Sequence, residues 1–373
     1  MDTMRPIYEK AVADAKAADT PEKRRGVGIA WGGFNVTEGG GDSAEVALEL
    51  MPGNKIRKYD TWHAMGQGAT TGSLVVTLEA LKEMHLTPED IQLIQNDTKT
   101  CPDTGMAGAS RSLYMDGNAT IIAANKLLAA MRKEDGTLRT YDEMKAEGIE
   151  TKYLGRYETN TTPGLCRLDP NTGIGDPTPA FTYCLNLAEV EVDTKTGKTT
   201  VLKFTCVDFV GRIGNIDAVN GQAYSGIMHG IGFALKEDYA DVKKHANMFG
   251  AGTSYIKDVP DDINLIHIDG AISDGPFGSS GASEAFQASG HCAVLNGIYN
   301  ACGVRIHEIP ALPEKVKAGL DAIAKGEKPY EPKKYFLGSD MYEELENIKE
   351  NPVQVGTQSF YVSLDDPTAE RPF

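Results

Sequence analysis

The sequence predicts an α+β fold of mixed sheets and helices, on three observations. Apolar segments with helical spacing occur beside short β-branched segments with period-two alternation. The two kinds are interspersed and not strictly alternating, which disfavours a doubly wound parallel sheet. Glycine is abundant, 40 of 373 residues, and it gathers in clusters between the periodic segments, marking specific loops.

The elements follow in order. Met1 to Ala18 reads as an amphipathic helix, with Ile7, Ala11, Ala15 and Ala18 on one side. Lys23 to Asn35 reads as a strand entering a sheet, and Ala44 to Met51, which alternates, as its partner. Lys58 to His63 is a further extended run, followed by a helix over Thr71 to Met84. Thr87-Pro88-Glu89-Asp90 has the form of a helix start. Ile91 to Ile94 is a short apolar run. Asp97 to Ser110 is a long polar loop, and a helix extends from Ser110 to Met131. Leu187 to Val192 and Thr199 to Val207 form a hairpin around Asp193–Lys198. Asp217 caps a helix to Glu237, and Ile263 to Ile268 is a strand. An apolar helix occupies Ala285 to Ala301 and ends near Gly303, and later helices span Pro313–Ala324 and Met341–Asn351. The aperiodic tail from Pro352 to Phe373 is expected to wrap over the surface. The expected organisation is a helix and linker over 1–22, a principal region over 23–330 with two α+β subdomains meeting near 185–215, and a helix and tail over 331–373.

The length suffices for a sizeable core. Fifty-three acidic against 37 basic residues give a net charge of −16, which disfavours nucleic acid or an anionic membrane as partner. No apolar run is long enough to span a membrane, and the first residues lack the apolar core of a signal peptide. The six cysteines are scattered without a C-x-x-C pair. This chain is therefore expected to hold no zinc or iron–sulfur site and to sit in the cytoplasm as free thiols.

Four segments could carry chemistry. In Pro276-Phe277-Gly278-Ser279-Ser280-Gly281-Ala282-Ser283-Glu284, small residues precede one carboxylate. Small residues let a bulky group approach the backbone, and a lone acid there is a candidate general base. The alternative is a capped helix N-terminus. In Cys101–Arg111, glycines lead into a helix start whose free N–H groups, with Ser110 and Arg111, would suit an anion. The alternative is an ordinary capped loop. In His63-Ala64-Met65-Gly66-Gln67-Gly68, the amide of Gln67 lies between two glycines, and His63 is either functional or a satisfied core histidine. In Asn220–Gly232, glycines 221, 226, 230 and 232 thin one side of a helix, for a neighbouring helix or for a cofactor, beside Gln222.

Together these segments resemble the C-terminal half of the molybdopterin-binding subunit of the xanthine oxidase family, the molybdenum hydroxylases. The likeness is strongest to bacterial aldehyde oxidoreductases. Four motifs fall in the family's order: Met65-Gly66-Gln67-Gly68; Pro102–Gly105 with Ala109-Ser110-Arg111; Gly221-Gln222; and Gly278–Gly281 with Ser283-Glu284. The resemblance implies the second molybdopterin-binding part of a large subunit. In it Glu284 is the general base. His63, Gly66, Gln67, Gly68, Met106, Ala107, Gly108, Ala109, Ser110, Arg111, Gln222 and Ser283 hold the cofactor. The molybdenum is carried by the pterin dithiolene, so no protein metal ligand is implied, and the cofactor is expected in its cytosine dinucleotide form.

The implied reaction oxidises an aldehyde to a carboxylic acid, with water as the oxygen source. Electrons pass to [2Fe-2S] clusters, and possibly FAD, on a partner or a missing segment. Ser283, where purine hydroxylases tend to show Gly, favours the aldehyde branch. The rival readings are a purine or N-heterocycle hydroxylase and a non-catalytic molybdopterin-binding module. The chain is expected to hold part of the cofactor site. The partners are then the N-terminal half of the molybdopterin subunit and an iron–sulfur protein or domain, docking around Gly221–Gly232 and the Glu284 loop.

Overall fold

Glycines in the first strand decide how the helices sit. The computed structural model describes residues 2–37, 41–159, 169, 172–175, 178–241 and 243–327. Strand β1 (Lys23–Val36) places Gly26 and Gly28 under helix α7 (Gly290–Cys302). A Cβ at Gly28 would lie 2.0 Å from Ala293 O, and one at Gly26 would lie 2.3 Å from Gly297 O. Asn296 and Asn300 of α7 then reach the strand, donating to Ile29 O and Val27 O at 3.0 and 2.7 Å. On the opposite face, α1 (Met4–Ala18) buries Met4 and Ala11 against Val27, Leu187 and Val207, with Ile7 and Ala15 beside them. The expected stripe holds there except for Ala18, which is exposed.

β1 belongs to a four-stranded sheet of order β1-β6-β7-β8, with β6 Ala180–Asp193, β7 Thr199–Phe209 and β8 Asp262–His267. β6 and β7 form the expected hairpin; the Asp193 side chain accepts from Lys195 N and Thr196 N, and Gly197 takes a positive φ of 77°. Helix α5 (Ile216–Leu235) is the crossover between the parallel strands β7 and β8.

The second sheet has the order β4-β3-β2-β5 (β2 Ser43–Met51, β3 Lys55–Asp60, β4 Ile91–Gln95, β5 Lys152–Glu158). Helix α2 (Ala69–Ala80) joins the parallel strands β3 and β4. Helix α3 (Arg111–Met131) lies so close to β5 that a Cβ at Gly155 would meet Ala119 O at 2.1 Å. The short α4 (Tyr141–Ala146) adds Met144 to this core. Helices α6 (Met248–Ala251) and α8 (Pro313–Ala324) complete the described elements.

Several expectations are corrected. β2 does not pair with β1: β1 is matched along its length by β6, while β2 pairs with β3 and β5. The chain leaves the first sheet at Thr37, which adopts a φ of 62° and donates its N–H to Ala109 O. The start at Thr87 yields only a 3₁₀ turn, Pro88–Asp90, and the Lys58–His63 strand ends at Asp60. Asn215, not Asp217, caps α5, accepting from Ala218 N at 2.9 Å. The helix expected over Ala285–Ala301 is split into a 3₁₀ segment, Ser283–Gln287, and α7. The break falls where Gly290 packs on Gly230. The helix expected at Met341–Asn351 and the tail from Pro352 lie outside the described residues.

Between β3 and α3, the fully buried Lys58 amino group lies 2.7 Å from Asp116 Oδ1 and 3.3 Å from Asp60 Oδ2. Burial pushes Asp116 up to about 6 against the opposing pull of Lys58. An acid with higher proton affinity folded than unfolded (ordinary value ~3.9) takes up a proton on folding between those values. Its contribution is therefore greatest below pH ~4 and is lost as pH rises through ~6. Chemical denaturation of wild type and Asp116→Asn should show their stability difference falling, by about 2–3 kcal/mol, from pH 4 to 7. A pH-independent difference would show that Asp116 does not titrate there.

Candidate active site

Two segments 174 positions apart meet at Ser110 and Glu284. Ser110 stands at the start of α3, where a serine ordinarily caps. Here Ala109 and Ser110 both adopt left-handed conformations, φ 49° and 50°, and the Ser110 side chain makes no cap bond. Its hydroxyl instead donates to Glu284 Oε2 and accepts from Glu284 N. Such a conformation is costly for a residue with a side chain and persists only where neighbours impose it. Thr37 N holds Ala109 O at 3.1 Å, and Gly281 lies flat against the loop. A Cβ at Gly281 would fall 1.7 Å from Ser110 O, so glycine is obligatory. Below the 3₁₀ segment, the buried Cys184 Sγ donates to Ala285 O at 2.8 Å, and Asn186 Nδ2 donates to Ser289 Oγ at 3.0 Å. Glu284 is thus fixed from above by a hydroxyl and below by the β6 side chains.

A second wall comes from the loop between β3 and α2. Thr61 and Thr104 exchange backbone-to-hydroxyl bonds of 2.8 and 3.0 Å, tying this loop to the one before α3. Gln67 closes its own turn, donating to His63 O and accepting from Met65 N, both at 2.6 Å. The third wall is the first half of α5. There Gln222 faces the cleft, and its amide has no hydrogen-bond partner among the described residues.

These walls enclose a cleft of about 580 Å³. Among the residues singled out in the sequence, Gln67, Gly68, Ala107, Gly108, Ser110, Gln222, Ser283 and Glu284 line it. His63, Gly66, Met106, Ala109 and Arg111 do not. His63 is exposed, so it is not a core histidine. Arg111 is buried, and its guanidinium is engaged inside the chain. Nε and Nη2 grip Asp42 at 2.7 Å each, and the remaining donors go to the carbonyls of Ser43, Thr104 and Met106. It shapes the loop and does not reach the cleft. The glycines of α5 divide in the same way: Gly226 and Gly230 are thin because Phe286 and Gly290 pack on them, whereas Gly221 has open space. The expected outside partner is thus replaced at Gly226 and Gly230 by the chain's own elements. Phe277 and Ser280 of the Pro276–Glu284 segment also line the cleft, as do Trp62 and Arg212, which sequence reasoning missed. Gly214 beside Arg212, at a strand-to-helix junction, was the available signal.

The cleft suits an elongated polar group. Glycines 68, 108 and 281 leave backbone within reach, Gln222 offers a free amide, and the buried Ser280 Oγ has no partner among the described residues. Residues 4–260 match the molybdopterin cofactor-binding domain. The chain belongs to this family.

Among the molybdenum hydroxylases, this molybdopterin-binding chain is 40% identical over 322 residues to the aldehyde oxidoreductase of Megalodesulfovibrio gigas, covering 86% of the chain and 35% of that protein. The solved structure of the Desulfovibrio desulfuricans aldehyde oxidoreductase superposes with a TM-score of 0.81 at 43% identity, over 85% of this chain and 34% of that one. Quinoline 2-oxidoreductase from Pseudomonas putida shares the fold, with a TM-score of 0.67 at 20% identity, over 86% of this chain and 44% of that one. The chain spans about a third of the length of the aldehyde oxidoreductases it matches.

Replacing Arg111 by Met would strand the Asp42 charge and three carbonyls. Because Asp42 keeps some access to water, the expected loss is about 2–4 kcal/mol. Denaturation of the cofactor-free chain measures it. Unchanged stability with lost cofactor would instead assign Arg111 to the ligand.

Proposed function

We propose that this chain is the C-terminal molybdopterin-binding part of a molybdenum hydroxylase that oxidises aldehydes: R-CHO + H₂O → R-COOH + 2 H⁺ + 2 e⁻. The observation that carries the reading is Glu284, a carboxylate fixed at the cleft wall by Ser110. The other lining carboxylate, Glu79, is exposed and pairs with Lys82 at 2.9 Å, whereas Glu284 is half-buried and oriented by Ser110. Molybdenum, held by the pterin's own sulfurs, supplies the oxygen-transfer and two-electron chemistry when bound. Glu284 accepts a proton from the attacking water-derived oxygen, and the Ser110 hydroxyl sets its orientation. Gln67, Gln222 and the Ala107–Gly108 backbone hold the pterin and its phosphate arm, in the cytosine dinucleotide form.

Identity of 40% to a protein named aldehyde oxidoreductase supports aldehydes over N-heterocycles. Mere cofactor binding would not require a carboxylate at this wall, which disfavours a non-catalytic module. The remaining cofactor wall and the iron–sulfur clusters that take the electrons lie on a partner or another segment. Five described cysteines are free thiols, and no described helix is long and apolar enough to cross a membrane.

Glu284→Gln keeps size and removes basicity. In the assembled enzyme, turnover should fall ~10²–10⁴-fold with molybdenum content retained. Near-normal turnover would remove Glu284 from the mechanism.

A further inference from the structure

Arg212 is the only Arg, Lys or His among the described residues lining the cleft. It is exposed, and its guanidinium has no hydrogen bond or ion pair among the described residues. Its backbone is fixed: Arg212 N donates to Gly278 O at 2.9 Å, and Gly211 bridges to Ser279. Its stem passes over Gly278, where a Cβ would lie 3.3 Å from Arg212 Cδ. Gly278 has a φ of 83°, and Phe277 before it is held at a φ of 54° with its ring partly exposed in the cleft. Ser280, 5% exposed, lines the same cleft with its hydroxyl unpartnered. An unengaged guanidinium on a fixed backbone and an unsatisfied buried hydroxyl lining the same cleft suit an oxyanion.

We infer that Arg212, seconded by Ser280, binds an oxyanion in this cleft: a phosphate of the cofactor's arm or a carboxylate on the substrate. The inference rests on the proposed function only for the naming of those two sources. A guanidinium suits both, because its paired N–H groups match two oxygens of either anion.

The test uses the full-length chain without cofactor, with inorganic pyrophosphate and benzoate as probes in titration calorimetry. Arg212→Gln should weaken one of them by about tenfold or more, and Arg212→Lys by less. Selective loss of pyrophosphate assigns the site to the cofactor arm. Selective loss of benzoate assigns it to the substrate, and the assembled enzyme should then show a raised KM for 4-formylbenzoate but not for benzaldehyde. Equal binding of both probes by wild type and Arg212→Gln, or no binding by wild type, would overturn the inference. The calorimetric result stands whether or not the assembled enzyme oxidises aldehydes.

Discussion

The cleft depends on one close approach, the backbone of Ser110 lying against Gly281. A side chain at position 281 would place its first carbon 1.7 Å from the Ser110 carbonyl oxygen. Because glycine removes that obstacle, the loop before α3 can descend onto the turn that carries Glu284. The left-handed pair Ala109–Ser110 follows from this descent, and so does the loss of the ordinary helix cap. A hydroxyl released from capping becomes the partner of the carboxylate. Local strain is thus offset by the contact that orients the functional group.

The same logic recurs deeper in the molecule. Gly26 and Gly28 let α7 settle on β1, and Gly230 lets it meet α5. Since α7 follows the Glu284 turn directly and α5 carries Gln222, these contacts set the spacing between two walls of the cleft. The Thr61–Thr104 exchange ties down the third. Small residues at helix and strand contacts therefore act at a distance on the site, by fixing how closely rigid elements approach.

Much of this was legible in the sequence. The lone carboxylate after a run of small residues, the β6–β7 hairpin and most helices are local patterns, and local patterns survive folding. What was not legible depends on distant partners. Strand β2 alternates like a partner of β1, but pairing is decided by β6, more than a hundred residues later. Arg111 at a helix start looks like an anion ligand until Asp42, 69 positions away, is seen to occupy its fork. Arg212 escaped notice for the converse reason: Gly214 beside it marks only a turn, and its significance lies in having no ion pair among the described residues.

If Glu284 is the acid–base group, the wall that Ser110 and Glu284 form faces the metal end of a bound molybdopterin. The most direct measurement is anomalous scattering at the molybdenum edge from crystals of the loaded, assembled enzyme. A single molybdenum peak is expected inside this cleft, facing the Glu284 carboxylate. A peak outside the cleft, or one screened from Glu284 by other side chains, would contradict it.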